Sequence, residues 1–183
     1  MKKDDLVEKI IKKFNMTLLE GEGGYFTETY RCEEKVLKEH LPQRYNSARD
    51  FSTSILYLIT PDNFSSLHKV ASDEIFHFYL GDPVVMLNLF EDGKGLEIKM
   101  GSNIVNGEHI QYLVPKNTWQ GAKLVKGGKF ALLGTTVSPG FEYEDFVQAR
   151  GYKKDILDKY PDYSSLIEEL INLNTITCSS KLK

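Results

Sequence analysis

The chain is predicted to be an all-β domain, a sandwich or barrel with one helix at each end. Three observations predict this. From Thr53 to Val137, short runs rich in β-branched and aromatic residues recur, with turn residues at a spacing of about 8–12. Nothing in that stretch alternates strand with helix, which argues against a doubly wound parallel sheet. Helical spacing of apolar residues appears only near the two ends, at Leu6, Ile10, Ile11 and Phe14, and at Leu166, Ile167, Leu170 and Ile171.

Taken in order, the first helix is expected over about residues 4–14, with Asp4 or Asp5 as its cap and its apolar side against the rest of the fold. The glycines of GEGGYFTETYR mark a tight turn before a strand from Tyr25 to Arg31. Residues 32–50 are charged and without period, and read as a long loop of the kind that serves as a lid or an oligomer contact. STSILYLIT ends at Pro61-Asp62. FSSLHKV and EIFHFYL are joined through Ala-Ser-Asp, and VVMLNLF and GLEIKM flank the hairpin turn EDGKG. HIQYLV stops at Pro115, and TWQGAKLV and KFALLGTTV flank Lys126-Gly127-Gly128. Ser138-Pro139-Gly140-Phe141 makes the turn that ends the barrel, which is expected over about residues 25–147. A C-terminal helix is expected over about 163–173, followed by a polar, frayed tail, NTITCSSKLK. The whole, residues 1–183, reads as one domain.

Composition narrows the classes of function. A formal net charge of -3 lacks the basic excess of a nucleic-acid binder. No apolar run approaches the roughly 18–20 residues that cross a bilayer. The N-terminus is interrupted by charges throughout and does not read as a signal peptide. Cys32 and Cys178 are far apart in sequence; a bridge is open to them, but two free thiols in a reducing cytoplasm are expected. The expected localisation is therefore cytoplasmic, with no membrane and no nucleic-acid polymer as partner.

The chemistry concentrates in HKVASDEIFHFYLG. His68 and Glu74 fall on adjacent strands joined by a turn, both able to point inward, where they make a polar site in an apolar pocket. They are the candidate catalytic pair; the alternative is a structural pair in which two buried polar groups satisfy each other. Phe76 and Phe78 share the parity of Glu74 and should line the same cavity, or simply form core. His77 has the opposite parity and should face away unless a bulge intervenes. Trp119 and Gln120 are further ligand-binding candidates, against core packing for the first and a satisfied strand amide for the second. In the strand from Tyr25 to Arg31, Tyr25 and Thr27 share one face, Phe26 and Glu28 the other. Tyr25, Glu28 and Arg31 are candidates at a pocket edge, where an arginine suits a phosphate or carboxylate; the plain alternative is a surface Glu28–Arg31 pair. His40 and His109 lie in polar surroundings and should face solvent.

The spacing His68–x5–Glu74–x6–Gly81 resembles the first signature of the cupin superfamily, H-x-H-x3-E-x6-G, and Pro115 to Gln120 resembles part of the second, P-x-G-x2-H. A closer resemblance spans about residues 5–163. EGEGGYFTETYR, SSLHKVASDEIFHFYLGDP, VPKNTWQGA and VSPGFEYEDF, in that order, are similar to the Cupin_5 (DUF985) family. The resemblance implies a double-stranded β-helix, the RmlC-like cupin or jelly-roll barrel, generally a homodimer, of unassigned biochemical role. It also implies an inward site that in many cupins holds a divalent metal. Here Val70 and Gln120 stand where two of the metal-binding histidines would be. His68, Glu74 and Gln120 remain as an incomplete metal set, since an amide oxygen is a weak ligand and valine none. The expectation is a small-molecule-binding cupin without a metal, taking a sugar, nucleotide or related polar metabolite. The alternatives are a sugar isomerase or epimerase, with His68 or Glu74 as base and a tyrosine such as Tyr25 or Tyr79 as acid, and a metal-dependent cupin enzyme.

Overall fold

The computed structural model describes residues 3–171, with side chains from Asp5 onward. The elements run α1 (Lys3–Phe14), β1 (Thr17–Leu18), β2 (Tyr25–Arg31), β3 (Lys35–Val36), β4 (Arg49–Asp50), β5 (Thr53–Ile59), β6 (Ser65–Lys69), β7 (Asp73–Gly81), β8 (Val84–Leu89), β9 (Gly95–Met100), β10 (Gln111–Val114), β11 (Trp119–Leu124), β12 (Ala131–Ser138), β13 (Val147–Gln148), α2 (Lys153–Lys159) and α3 (Ser164–Ile171). Every strand ladder is antiparallel. Six strands form one sheet in the order β1-β2-β5-β12-β7-β10, and five form the other in the order β13-β6-β11-β8-β9. Among the described residues no ladder joins the two edge to edge, so the shell is a two-sheet jelly roll rather than a closed barrel.

The period of two decides what each strand buries. Tyr57 and Ile59 on β5, Phe76 on β7, Val84 and Met86 on β8, Ile98 and Met100 on β9, Ala122 on β11, and Ala131 and Leu133 on β12 meet between the sheets. The alternate residues face outward, and helices cover many of them. Leu58 and Leu132 pack with Ile10 and Met16 beneath α1. Leu67, Leu87 and Leu89 pack with Ile156, Ile167 and Leu170 beneath α2 and α3. Covering both faces of β8 is the reason its sequence, VVMLNL, is apolar almost throughout.

Several local expectations change. Helix α1 starts at Lys3, so Asp5 lies inside its first turn and pairs with Lys9 at 2.8 Å instead of capping it. The segment expected as a patternless loop over 32–50 carries the β3–β4 ladder and buries Tyr45, Arg49 and Asp50. Arg49 supplies the reason. Its guanidinium donates to both carboxylate oxygens of Asp145, at 2.8 and 2.6 Å, and to Glu144 at 2.6 Å, tying the segment to the turn after β12. Helix α2 carries no apolar period in the sequence, because its seven residues hold only the apolar pair Ile156 and Leu157. The last residues of the expected C-terminal helix, the expected frayed tail and Cys178 lie outside the described residues; Cys32 is half-buried.

Candidate functional site

A cavity of about 230 Å³ opens at one end of the jelly roll, between the two sheets. Its apolar walls are Leu19, Phe26, Ile55, Val70, Val137, Phe141 and Phe146. His68 and Glu74 both line it, as the alternation along β6 and β7 requires. His68 is 3% exposed and Glu74 7%.

The hydrogen bonds around these two groups assign their roles. His68 Nδ1 lies 2.7 Å from the carbonyl oxygen of Ser66, which only accepts, so Nδ1 carries the proton. In the neutral ring Nε2 is then an acceptor, and it faces Glu22 Oε2 at 4.0 Å. The other Glu22 oxygen accepts from Ser65 Oγ at 2.7 Å, which aims the carboxylate into the cavity. Glu74 Oε2 accepts from Gln120 Nε2 at 2.5 Å. Burial raises the Glu74 carboxyl above its ordinary value and the nearby Glu22 raises it further, against the opposing pull of His68 and of hydrogen bonds from Thr135 and Gln120. Beside them the Tyr57 phenol donates to the Gly23 carbonyl at 2.6 Å, and its burial, with Glu22 next to it, pushes it well above the usual tyrosine range.

Below Glu74 the interior holds two more amides. Asn88 is directly opposite Gln120 across the β8–β11 ladder and shares the inward parity of Val84 and Met86. Asn88 is fully buried, and neither its Oδ1 nor its Nδ2 meets a partner; nor does Gln120 Oε1. Three buried polar atoms without partners, beside a protonatable carboxyl, mark polar space in the interior.

The mouth of the cavity is charged. Arg31 reaches it because β2 is bulged between Glu28 and Tyr30, which resets the parity and places Arg31 on the same face as Glu28. Its guanidinium is fully engaged, donating to Glu28 at 2.8 Å, Asp50 at 2.6 Å and Glu142 at 2.9 Å. Lys35 holds Asp50 from the other side at 2.6 Å. The hydrogen bond from Lys35, with that from Arg31, keeps the buried Asp50 carboxyl below its ordinary value despite burial.

The sequence candidates therefore separate. Glu28, Arg31, His68 and Glu74 line the cavity, and Gln120 supports Glu74 from below. Phe76 and Phe78 face inward as their parity requires, but they belong to the core beyond the cavity wall. Tyr25 faces the opposite way from Phe26 and packs under α1. His77 lies on the outer face of its sheet, 3.3 Å from both Thr136 Oγ1 and Gln111 Nε2, with its ring stacked on Tyr79. Trp119 also points outward, against Tyr152 and under Lys69, because β11 turns Gln120 and Ala122 to the inside. His40 and His109 are exposed. Glu22, offered by the GEGGYFTETYR segment, also lines the cavity, whereas Phe26, Asn88, Phe141, Glu142 and Phe146 were not singled out as candidates. The inward parity of Phe26 was visible in the strand pattern. The others come to the site through long-range contacts.

The donor set does not fit a metal ion. Gln120 turns its amide nitrogen toward Glu74 and Val70 lines the wall with no donor atom, which leaves His68 Nε2 and Glu74 short of a full ligand set. Among the described residues no three His, Cys, Asp or Glu side chains are grouped to hold one.

Fold and site together define a cupin, with its inward polar cluster between two antiparallel sheets. Residues 8–149 match the family described as Cupin superfamily (DUF985), Cupin_5, and the chain belongs to that family. An uncharacterised protein of Saccharomyces cerevisiae is 32% identical over 139 residues, covering 71% of this chain and 69% of the yeast protein. A hypothetical protein from Leishmania major superposes with a TM-score of 0.78 at 27% identity, over 89% of this chain and 97% of that one. A Shewanella oneidensis protein gives 0.76 at 27% identity, over 89% and 95%. Bacillus subtilis oxalate decarboxylase, at 18% identity and a TM-score of 0.50 over 84% of this chain and 36% of that one, shares the fold.

Proposed function

We propose that the protein binds a small organic metabolite in the cavity formed by Glu22, His68 and Glu74 and its apolar walls. One observation carries this reading. Polar groups that are almost fully buried present acceptor atoms to an enclosed space large enough for a ring-sized molecule. The sugar- or nucleotide-like metabolite expected from the sequence is the starting set for a screen. A thermal-shift screen with sugars, sugar phosphates, nucleotides and amines is expected to raise the melting temperature with at least one compound. His68→Ala should weaken that compound by about tenfold or more. Hits unaffected by His68→Ala would place the binding elsewhere and overturn the reading.

A specific observation also supports a catalytic reading. Glu74, favoured in its protonated form by burial, and the lone pair of His68 Nε2 line the same cavity, an acid and a base of the kind an isomerase or epimerase uses. The orienting partner of His68 is the Ser66 carbonyl. Under this reading His68→Ala removes turnover by orders of magnitude while leaving the fold intact.

We further propose that the protein works as a homodimer. Past β1, which pairs only with Tyr25 and Phe26, the outer edge of β2 is exposed from Glu28 to Arg31. At the opposite edge of the same sheet, Tyr79 on β7 and Leu113 on β10 are about half exposed. A strand edge of this kind is a ready template for a second chain. No helix among the described residues is long and apolar enough to cross a membrane.

A further inference from the structure

We propose that the cavity is selective for an organic cation, an amine carried on an aromatic or branched apolar body, and rejects anions of similar size. This rests on reading the cavity as the ligand site and specifies the charge of what enters it.

The first ground is the balance of committed charges. Glu20, Glu22, Glu28 and Glu142 line the cavity, against one guanidinium and one imidazole. The guanidinium of Arg31 is spent: Nε and Nη2 donate to Glu28, and Nη1 donates to Asp50 and Glu142. A phosphate or carboxylate entering here would have to displace those carboxylates while passing others that repel it.

The second ground lies at depth. With Nδ1–H donated to Ser66, His68 turns Nε2 toward Glu22 Oε2, 4.0 Å away. The Glu22 oxygen is an acceptor facing that space. An ammonium group carries several N–H donors and no acceptor, so it suits such an oxygen where an anion does not. Nearby, Gln120 Oε1 is a further buried acceptor without a partner.

The third ground is the wall. The Phe146 ring sits 4.9 Å from the His68 ring, and Phe141 meets Phe146 edge-on at 6.5 Å. With Phe26 they give aromatic faces to the same cavity, and such faces attract a cation and an apolar ring alike. A cavity of about 150 Å³ accommodates benzene; this one, at about 230 Å³, leaves room for a ring and a short arm.

The test is a charge series at constant shape. Benzylamine, benzyl alcohol and benzoate are titrated into the full-length protein at neutral pH, following the methyl resonances of Ile55, Val70 and Val137. Benzylamine is expected to bind about tenfold or more tighter than benzyl alcohol, and benzoate weakest. Glu22→Gln should remove the advantage of the amine over the alcohol. Benzyl alcohol or benzoate binding as tightly as benzylamine would overturn the cation assignment and leave the cavity as a ligand site. Failure of all three to perturb those methyls would overturn both readings.

Discussion

At His68 the deciding feature is which nitrogen carries the proton. The Ser66 carbonyl fixes a proton on Nδ1 and turns Nε2 toward the cavity. Glu74 is the complementary case, a carboxyl that burial and the nearby Glu22 push toward its protonated form. The consequence for stability has a definite sign. The folded protein holds this proton more tightly than the unfolded chain, whose midpoint is near the ordinary 4.5. The stability Glu74 contributes is therefore fully present below that midpoint and is lost as pH rises through the higher, folded midpoint. Glu74→Gln lacks this loss. Its stability relative to wild type should thus rise as pH climbs from near 4.5 through the higher, folded midpoint, by ~1.4 kcal/mol for each pH unit separating the two midpoints. Parallel melting curves for the two proteins across that range would refute it.

At the scale of elements, the site is assembled by departures from regular geometry. The bulge in β2 brings Arg31 to the cavity face, where an unbroken strand would have turned it away from Glu28. Gly24, at φ +71°, precedes that strand where a β-carbon would lie 2.6 Å from the Tyr57 ring, so the turn carrying Glu22 and Gly23 closes only over a glycine. Gly24→Ala should lower stability and displace the Gly23 carbonyl from the Tyr57 hydroxyl, measurable by chemical denaturation and by tyrosine fluorescence. The buried Arg49 holds β4 against Asp145 in the turn that follows β12, next to cavity residues Glu142 and Phe146. Arg49→Ala leaves the Asp145 carboxylate buried without its cation and should cost about 3–5 kcal/mol in urea unfolding. A loss below about 1 kcal/mol, the range of a surface pair, would show the ion pair to be open to water.

At the scale of the whole molecule, helices cover the outer face of one sheet and part of the other, leaving the edge of β2 and the face around Tyr79 and Leu113 uncovered. Sedimentation equilibrium at micromolar concentration should give twice the chain mass of 20.9 kDa. Replacing Leu113 by lysine, on the exposed part of that face, should shift the equilibrium toward a single chain while the melting transition remains cooperative. A single-chain mass for the unsubstituted protein at all concentrations would remove the dimer.

The fold was legible in the sequence because the alternation of apolar and polar residues along a strand is local, and it already puts His68, Glu74 and Phe76 on the inside. Turn residues and the two amphipathic ends added the order of elements. What the sequence could not contain is which distant groups meet. Glu22 reaches Ser65 and His68 across 43 and 46 positions, Gln120 reaches Glu74 across 46, and Glu142 reaches Arg31 across 111. Tertiary structure alone decided that Arg31 is neutralised by carboxylates, that Trp119 faces helices rather than the cavity, and that Nε2 of His68 looks onto Glu22. Periodicity fixes the face a side chain takes, whereas its partner depends on how the two sheets stack and where a bulge shifts their register.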